Sequence, residues 1–546
     1  MKRLLLATSL LLASAAAAAA DREKLPGPLL PDLGSLHHPV TTASSRAQKY
    51  FDQGMILLYG FNHPEAIRAF RSAAHLDPGC AMAYWGVAYA HGPHVNRPMS
   101  AEDTAAAWAA LREALDRASA ASPREQAYIA ALQTRYQAEH AEDRAALDRA
   151  FADAMRGLVR QYPDDLDAQA LFAEALMNTM PWDYWTGDRS PKPETEEALA
   201  ALRHVLLRDP DHPGANHLFI HAVEAGPTPE LGLPAADRLR FFAPGAGHLV
   251  HMPSHIYMRV GQYRDATLAN ERAVQADQDY IRSCRAQGFY PGVYYPHNLH
   301  FLWWAQLFEG RSADALRTAR KAARYANDNY CGPNKALEAP RLRHLPWLTL
   351  ARFGQWRELL ALPEPAANDE FLVDRVLWHF ARGLALVATG QVEAAAREHA
   401  ALVQWTEGEA VRKLDSPIFP VSSTLAVPNH WLAAKVAGAR NDLPGCIQHL
   451  EQAVAAEDAL PYMEPTFWPI PVRPTLGVAW LQNGEPAKAE AVFRQDLQRF
   501  PRNPWGLLGL EASLRGQGKT ESAALVRRLF DTAWQHADTR LQLDWF

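Results

Sequence analysis

The chain has 546 residues, of which 48% are hydrophobic and 21% charged, the balance of a globular protein rather than a disordered or fibrous one. Lys and Arg number 55 against 61 Asp and Glu, a formal charge of −6, so the basic surface that releases phosphate counterions is lacking and nucleic acid is not an expected partner. Four cysteines are too few for a disulfide-built scaffold.

Residues 1–20 begin with Lys2 and Arg3, run through an apolar stretch from Leu4 to Leu12 and end in the small residues Ala15 to Ala20, the grammar of an export signal. The mature chain is therefore expected to start at Asp21 and to be periplasmic or secreted. No later stretch reaches about eighteen apolar residues, so no membrane span is expected. Residues 21–46 read as an N-terminal linker.

From residue 47 the chain repeats itself. Gly54, Ala66, Phe70, Ala73 and the pair Asp77-Pro78 set a spacing whose later part returns in Gly484, Ala489, Phe493 and Pro501. Gly261 with Ala266, Gly310 with Ala315, and Gly390 with Ala395 repeat it again. The pattern resembles the tetratricopeptide repeat, an antiparallel helix pair of about 34 residues, and the resemblance covers most of residues 47–535. It implies an all-α fold, a right-handed α-solenoid of antiparallel helix pairs. N-terminal repeats are expected over 47–200, central repeats over 201–360 and C-terminal repeats over 361–546. The architecture says little about function by itself.

Several connections are longer than the repeat requires: His91 to Ser100, Met180 to Pro193, Gly288 to His297, Cys331 to Arg341, Leu414 to His430 and Tyr462 to Pro474. They are rich in proline and aromatics such as Trp182, Tyr184, Trp185, Phe467 and Trp468. Such residues need a surface to pack on, so some of these loops are expected to fold over the helices and turn an open groove into a lidded pocket. Cys284 and Cys331 fall in corresponding connections, which leaves two readings, a bridge or two separate thiols.

Histidine returns at a fixed phase of the repeat. His251 lies ten residues before Gly261, His300 ten before Gly310 and His344 ten before Gly354, while His248 and His297 each lie thirteen before theirs. His217 falls seven after Pro210, as His251 does after Pro244. Helical spacings of three, four and seven put His217 with His221, His248 with His251 and His255, and His297 with His300 on shared faces. Phe219, Val223, Val250, Tyr257, Leu299 and Leu302 take the core-facing phases. In the family that the repeat resembles, the histidine phases line the concave surface.

Packed helices lie about 8–10 Å apart, so imidazoles at matching phases can converge, and neutral imidazole is the commonest metal ligand. The expected ligands are His217, His221, His248, His251, His255, His297 and His300, with His344 on the flank. Seven exceed the three or four of one site and allow two ions or a dinuclear centre. Nitrogen ligation without thiolate suits a transition metal, copper in preference to zinc, over calcium or magnesium. Glu224, seven after His217, is a candidate ligand, hydrogen-bond acceptor or catalytic base. Neither His217 with His221 nor His251 with His255 carries the glutamate of an HExxH hydrolase. Pro253 and Pro346 imply either helix starts or kinks at those points.

Other residues read more plainly. Trp303, Trp304, Tyr257, Tyr294 and Tyr295 are packing residues that, beside a redox copper, would hold substrate or relay electrons. His63 reads as a turn or helix-start residue, His91 and His94 as loop residues, Trp85 and Tyr89 as an aromatic wall, and Glu174 as a solitary carboxylate. Together these features predict an exported metal protein, a metal-dependent oxidase or oxygenase acting on a small organic substrate. The alternatives are a repeat adaptor that binds a protein partner and a non-catalytic metal carrier or sensor.

Overall fold

The computed structural model describes residues 25–331, 335, 339–365, 371–406, 408–416 and 419–545. Residues 1–20, read as an export signal, lie outside them. The chain divides into two compact units, Met1–Met252 and Pro253–Phe546, and the divide falls inside the segment expected to hold the central repeats. Among the described residues all regular structure is helical, with isolated bridges such as Trp185 to Pro191. No described helix is long and apolar enough to cross a membrane.

In the first unit the helices Ser45–Tyr59 and His63–Leu76 form a hairpin closed by three residues. Phe70 is fully buried, and a Cβ on Gly54 or Gly86 would come within 2.4 or 2.6 Å of its ring. Both glycines let flanking helices close on one phenyl group. The same knob between two glycines recurs in the second unit, where Gly477 and Gly509 face Phe493. Capping boxes start Ala101–Arg117 at Ser100 and Pro123–Gln133 at Ser122, each satisfying otherwise orphaned amides. The all-α helical repeat read from the glycine and proline spacing is thus what forms.

The segment expected as a linker lies against the first hairpins. Leu30 N–H donates to Gln53 Oε1 at 2.7 Å, and the Thr41 N–H donates to Glu125 at 2.6 Å. The Met180 to Pro193 loop folds over the helix Pro213–Glu224, whose twelve residues are all buried. That helix, with no charge before its last residue, presents no polar face to water. Trp185 anchors the loop, and a Cβ on Gly226 would meet its ring at 2.5 Å.

In the second unit, Tyr263–Cys284, Phe289–Glu309 and Ser312–Asp328 are succeeded by Leu345–Arg352 and Leu372–Ala388. Glycines with positive φ close successive hairpins, as at Gly310 with φ of 75°. The Tyr462 to Pro474 loop packs inward as well. Pro469 O accepts from Trp304 Nε1 at 3.2 Å, and Pro465 O accepts from the Arg341 guanidinium at 2.5 Å.

Three readings left open by the sequence are decided. Pro253 does not kink a helix, because Gly247–His251 ends at Met252 and Pro253 opens Pro253–Arg259, where a missing N–H costs nothing. Pro346 likewise sits in the first turn of Leu345–Arg352, after the cap His344. Cys284, the last residue of Tyr263–Cys284, and Cys331, beyond the end of Ser312–Asp328, are separate free thiols.

Candidate metal centre

The helix Pro213–Glu224 begins with proline after the cap His212, whose Nδ1 accepts from the Ala215 amide. It places His217 and His221 one turn apart, with ring centroids separated by 4.8 Å. His248, on the short helix Gly247–His251, brings its ring 5.0 Å from His217 and 6.4 Å from His221. One ligand atom from each of the three rings lies within 4.8 Å of the others. The three residues are 0%, 1% and 2% exposed.

Two of these rings are held from behind. His217 Nδ1 contacts the Tyr59 carbonyl oxygen at 2.5 Å, and His221 Nδ1 contacts Glu224 Oε1 at 2.7 Å. Both acceptors draw the ring proton to Nδ1 and direct the Nε2 lone pair toward the triad, the tautomer that a metal-ligating histidine needs. Glu224 therefore serves His221 as a hydrogen-bond acceptor. His251 is fully buried beside His248, with stacked rings 5.8 Å apart.

Other residues gather there that their sequence setting had marked as turn or loop. Phe61 contacts His217 at 4.5 Å, His94 at 4.6 Å and His63 at 6.2 Å between centroids. His63 and His94 lie 4.5 Å apart. His63 does open a helix, but its ring is 2% exposed, its Nδ1 contacts Ala90 O at 2.9 Å and its Nε2 has no hydrogen-bond partner among the described residues. Burial drives its pKa down to about 3, and burial likewise holds His94 well below the usual imidazole range. Both rings are neutral near pH 7. Trp182, from the folded-over loop, sets its ring 5.1 Å from His221. Glu174 is engaged by the Tyr89 hydroxyl at 2.9 Å, and Trp85 packs on Tyr89, so that wall is interior.

The remaining expected ligands belong to the second unit. His255 and His297 have ring centroids 5.8 Å apart, and His255 Nδ1 lies 3.3 Å from Glu464 Oε2. Tyr462 donates its hydroxyl to the other Glu464 oxygen at 2.5 Å. His300 stacks on Trp303 and lines a mostly apolar cavity with His344, Arg341, Leu348 and Phe467. His344 contacts Asp374 at 3.2 Å, and Arg343 neutralises that carboxylate at 2.6 Å.

The histidines expected on the concave surface lie in the interior. His217, His221, His248, His251, His255 and His300 are as buried as Phe219, Val250 and Leu299 on the core phases. The aromatic residues are packing groups: Trp303 donates to Thr349 Oγ1 at 2.7 Å and Tyr257 is fully buried. Glu464, Asp374 and Phe61 had no signal in the histidine spacing. Phe61 alone left a trace, because it stands where most other hairpins carry glycine.

No protein-family model matches the chain, and no curated protein matches it in sequence. Among solved structures it is similar to the human IFIT1 dimer with m7Gppp-AAAA, at 11% identity, 90% of this chain, 91% of that chain and a TM-score of 0.30. It is similar also to yeast Tom70, at 13% identity, 88% and 96% coverage and a TM-score of 0.33. The Cut9–Hcn1 hetero-tetramer of the APC/C matches at 14% identity, 86% and 76% coverage and a TM-score of 0.28. Scores this low carry no argument about function, and the fold rests on the helix pairing itself.

Proposed function

We propose that the chain is an exported transition-metal-binding protein that holds its ion, copper in preference to zinc, through His217, His221 and His248. One observation carries this reading: three imidazoles within ligand reach of one another, at most 2% exposed, two of them oriented from behind. A copper or zinc ion takes nitrogen at about 2.0 Å, and such rings are conventionally fixed by carbonyl or carboxylate acceptors of the kind that Tyr59 and Glu224 provide.

Burial also selects among the alternatives. An adaptor that clamps an acidic tail needs charged imidazoles in reach of solvent, whereas these rings are interior and neutral imidazole is the ligating form. Oxidase or oxygenase turnover needs an open coordination position and a route to it. The depth of the triad favours retention of the ion, so the function advanced is that of a metal carrier or store. Helical-repeat arrays remain general platforms for protein partners, and delivery to one is compatible with this role.

Elemental analysis of untagged protein, exposed to copper and zinc and then desalted, tests the proposal. Wild type should retain one equivalent, and a His217→Ala/His248→Ala variant with unchanged helical content should retain none. Substoichiometric metal in the wild type sinks it.

A further inference from the structure

Among the described residues, eight hairpin turns share one hydrogen-bond pattern, in which a residue in the left-handed region donates its N–H three residues back and its successor donates five back. Gly310 donates to Leu307 O at 3.2 Å and Arg311 to Gln306 O at 3.1 Å; Gly518 and Lys519 repeat this on Arg515 and Leu514. Glycine fills the position six times, at 261, 310, 354, 390, 484 and 518, with φ of 65° to 78°, and asparagine once, at Asn441 with φ of 64°. The first hairpin makes the same bonds, Phe61 N to Leu58 O at 3.0 Å and Asn62 N to Leu57 O at 2.9 Å, with φ of 53°. Phe61 thus carries a bulky side chain where its Cβ is sterically penalised and where the seven other turns of this pattern carry glycine or asparagine.

The side chain points into the histidine site. Its ring lies 4.5 Å from His217, 5.9 Å from His221 at an interplanar angle of 10°, and 5.7 Å from His248 at 26°. We propose that Phe61 is the specificity-determining residue of this site, closing the face that a fourth, water-derived ligand would occupy and so selecting cuprous copper over zinc. The inference rests on the metal reading above and adds the oxidation state and the residue that imposes it.

Coordination number leads to this ion. Zinc is almost always four-coordinate, with water commonly filling a fourth position beside three protein ligands. A phenyl ring has no lone pair to offer and excludes the water that does. Monovalent copper is content with three imidazoles or fewer. The one side-chain acceptor behind the triad, Glu224, is fully buried and orients His221 without reaching the open face.

The test uses the untagged full chain, with cuprous ion under anaerobic conditions and zinc ion as probes, each titrated against a chelator of known affinity. Wild type is compared with Phe61→Gly and Phe61→Asn, residues that the chain itself uses at this turn, with circular dichroism reporting the fold. The wild type should bind one cuprous ion, and both variants should lose about tenfold or more of the copper-to-zinc affinity ratio, a difference near one unit of log K. X-ray absorption on wild-type protein should find two or three nitrogen neighbours around copper and no water oxygen. An unchanged ratio in either folded variant, or a four-coordinate copper, overturns the role of Phe61 and leaves the metal site standing. Wild type that binds neither ion removes the histidine site and this inference with it.

Discussion

Trp185 donates its indole N–H to the Ala222 carbonyl across 3.0 Å, one residue beyond His221, and so ties the folded-over loop to the ligand-bearing helix. Replacing Trp185 by Phe keeps an aromatic ring and removes the donor, leaving a carbonyl in a buried helix without that bond. Stability should fall by about 1 kcal/mol, the usual worth of such a hydrogen bond. Denaturant melts read that change. A chelator challenge on metal-loaded protein should show faster release than wild type; equal release rates would mean the loop does not cover the ion.

Glu224 contacts His221 and has the reach to fix its tautomer. Glu224→Gln preserves shape and keeps an amide oxygen as acceptor but removes the charge. Metal affinity should drop about 10- to 100-fold, as is typical when the group behind a ligating histidine is altered. Competition titration checks this, and retention of full affinity would show that Glu224 only packs.

Burial raises the Asp277 carboxyl to about 7, despite donors at Tyr290 and Asn298. The unfolded group titrates near 3.8, so the folded state binds the extra proton. The stability it contributes is fully present below about pH 4 and is lost as pH rises through 7, with a slope of up to about 1.4 kcal/mol per unit inside that window. Asp277→Asn should flatten this part of the profile. Urea melts of both proteins between pH 5 and 8 measure the difference, and parallel profiles would contradict it.

Gly54 closes on Phe70 with no room for a methyl group, since a Cβ would lie 2.4 Å from the ring. Gly54→Ala should therefore cost about 1–3 kcal/mol by overpacking, although alanine is the better helix former. A rise in melting temperature would show that the hairpin has slack.

Periodicity made the helices legible because it reports which faces are apolar. The turn glycines marked the hairpins, and the histidine phases brought His217, His221 and His248 into one group. What they did not convey was depth. On Pro213–Glu224 the face opposite Phe219 and Val223 is covered by the Met180 to Pro193 loop, and the path of a loop is set by packing that no repeat encodes. His63 and His94 were read as turn and loop residues for the same reason. Their backbone settings are as expected, but the ring positions depend on hairpins meeting far along the chain. Glu464 reaches His255 from more than two hundred residues away, a pairing with no local sequence correlate.

The contact between His217 and the Tyr59 carbonyl joins positions 158 residues apart. One imidazole of the triad is thus oriented by the opening hairpin and carried by a helix synthesised long afterwards. Before those two segments meet, the chain has all of its imidazoles but not this alignment. If the chain holds an ion as proposed, loading waits for these two distant segments to fold together rather than for their synthesis.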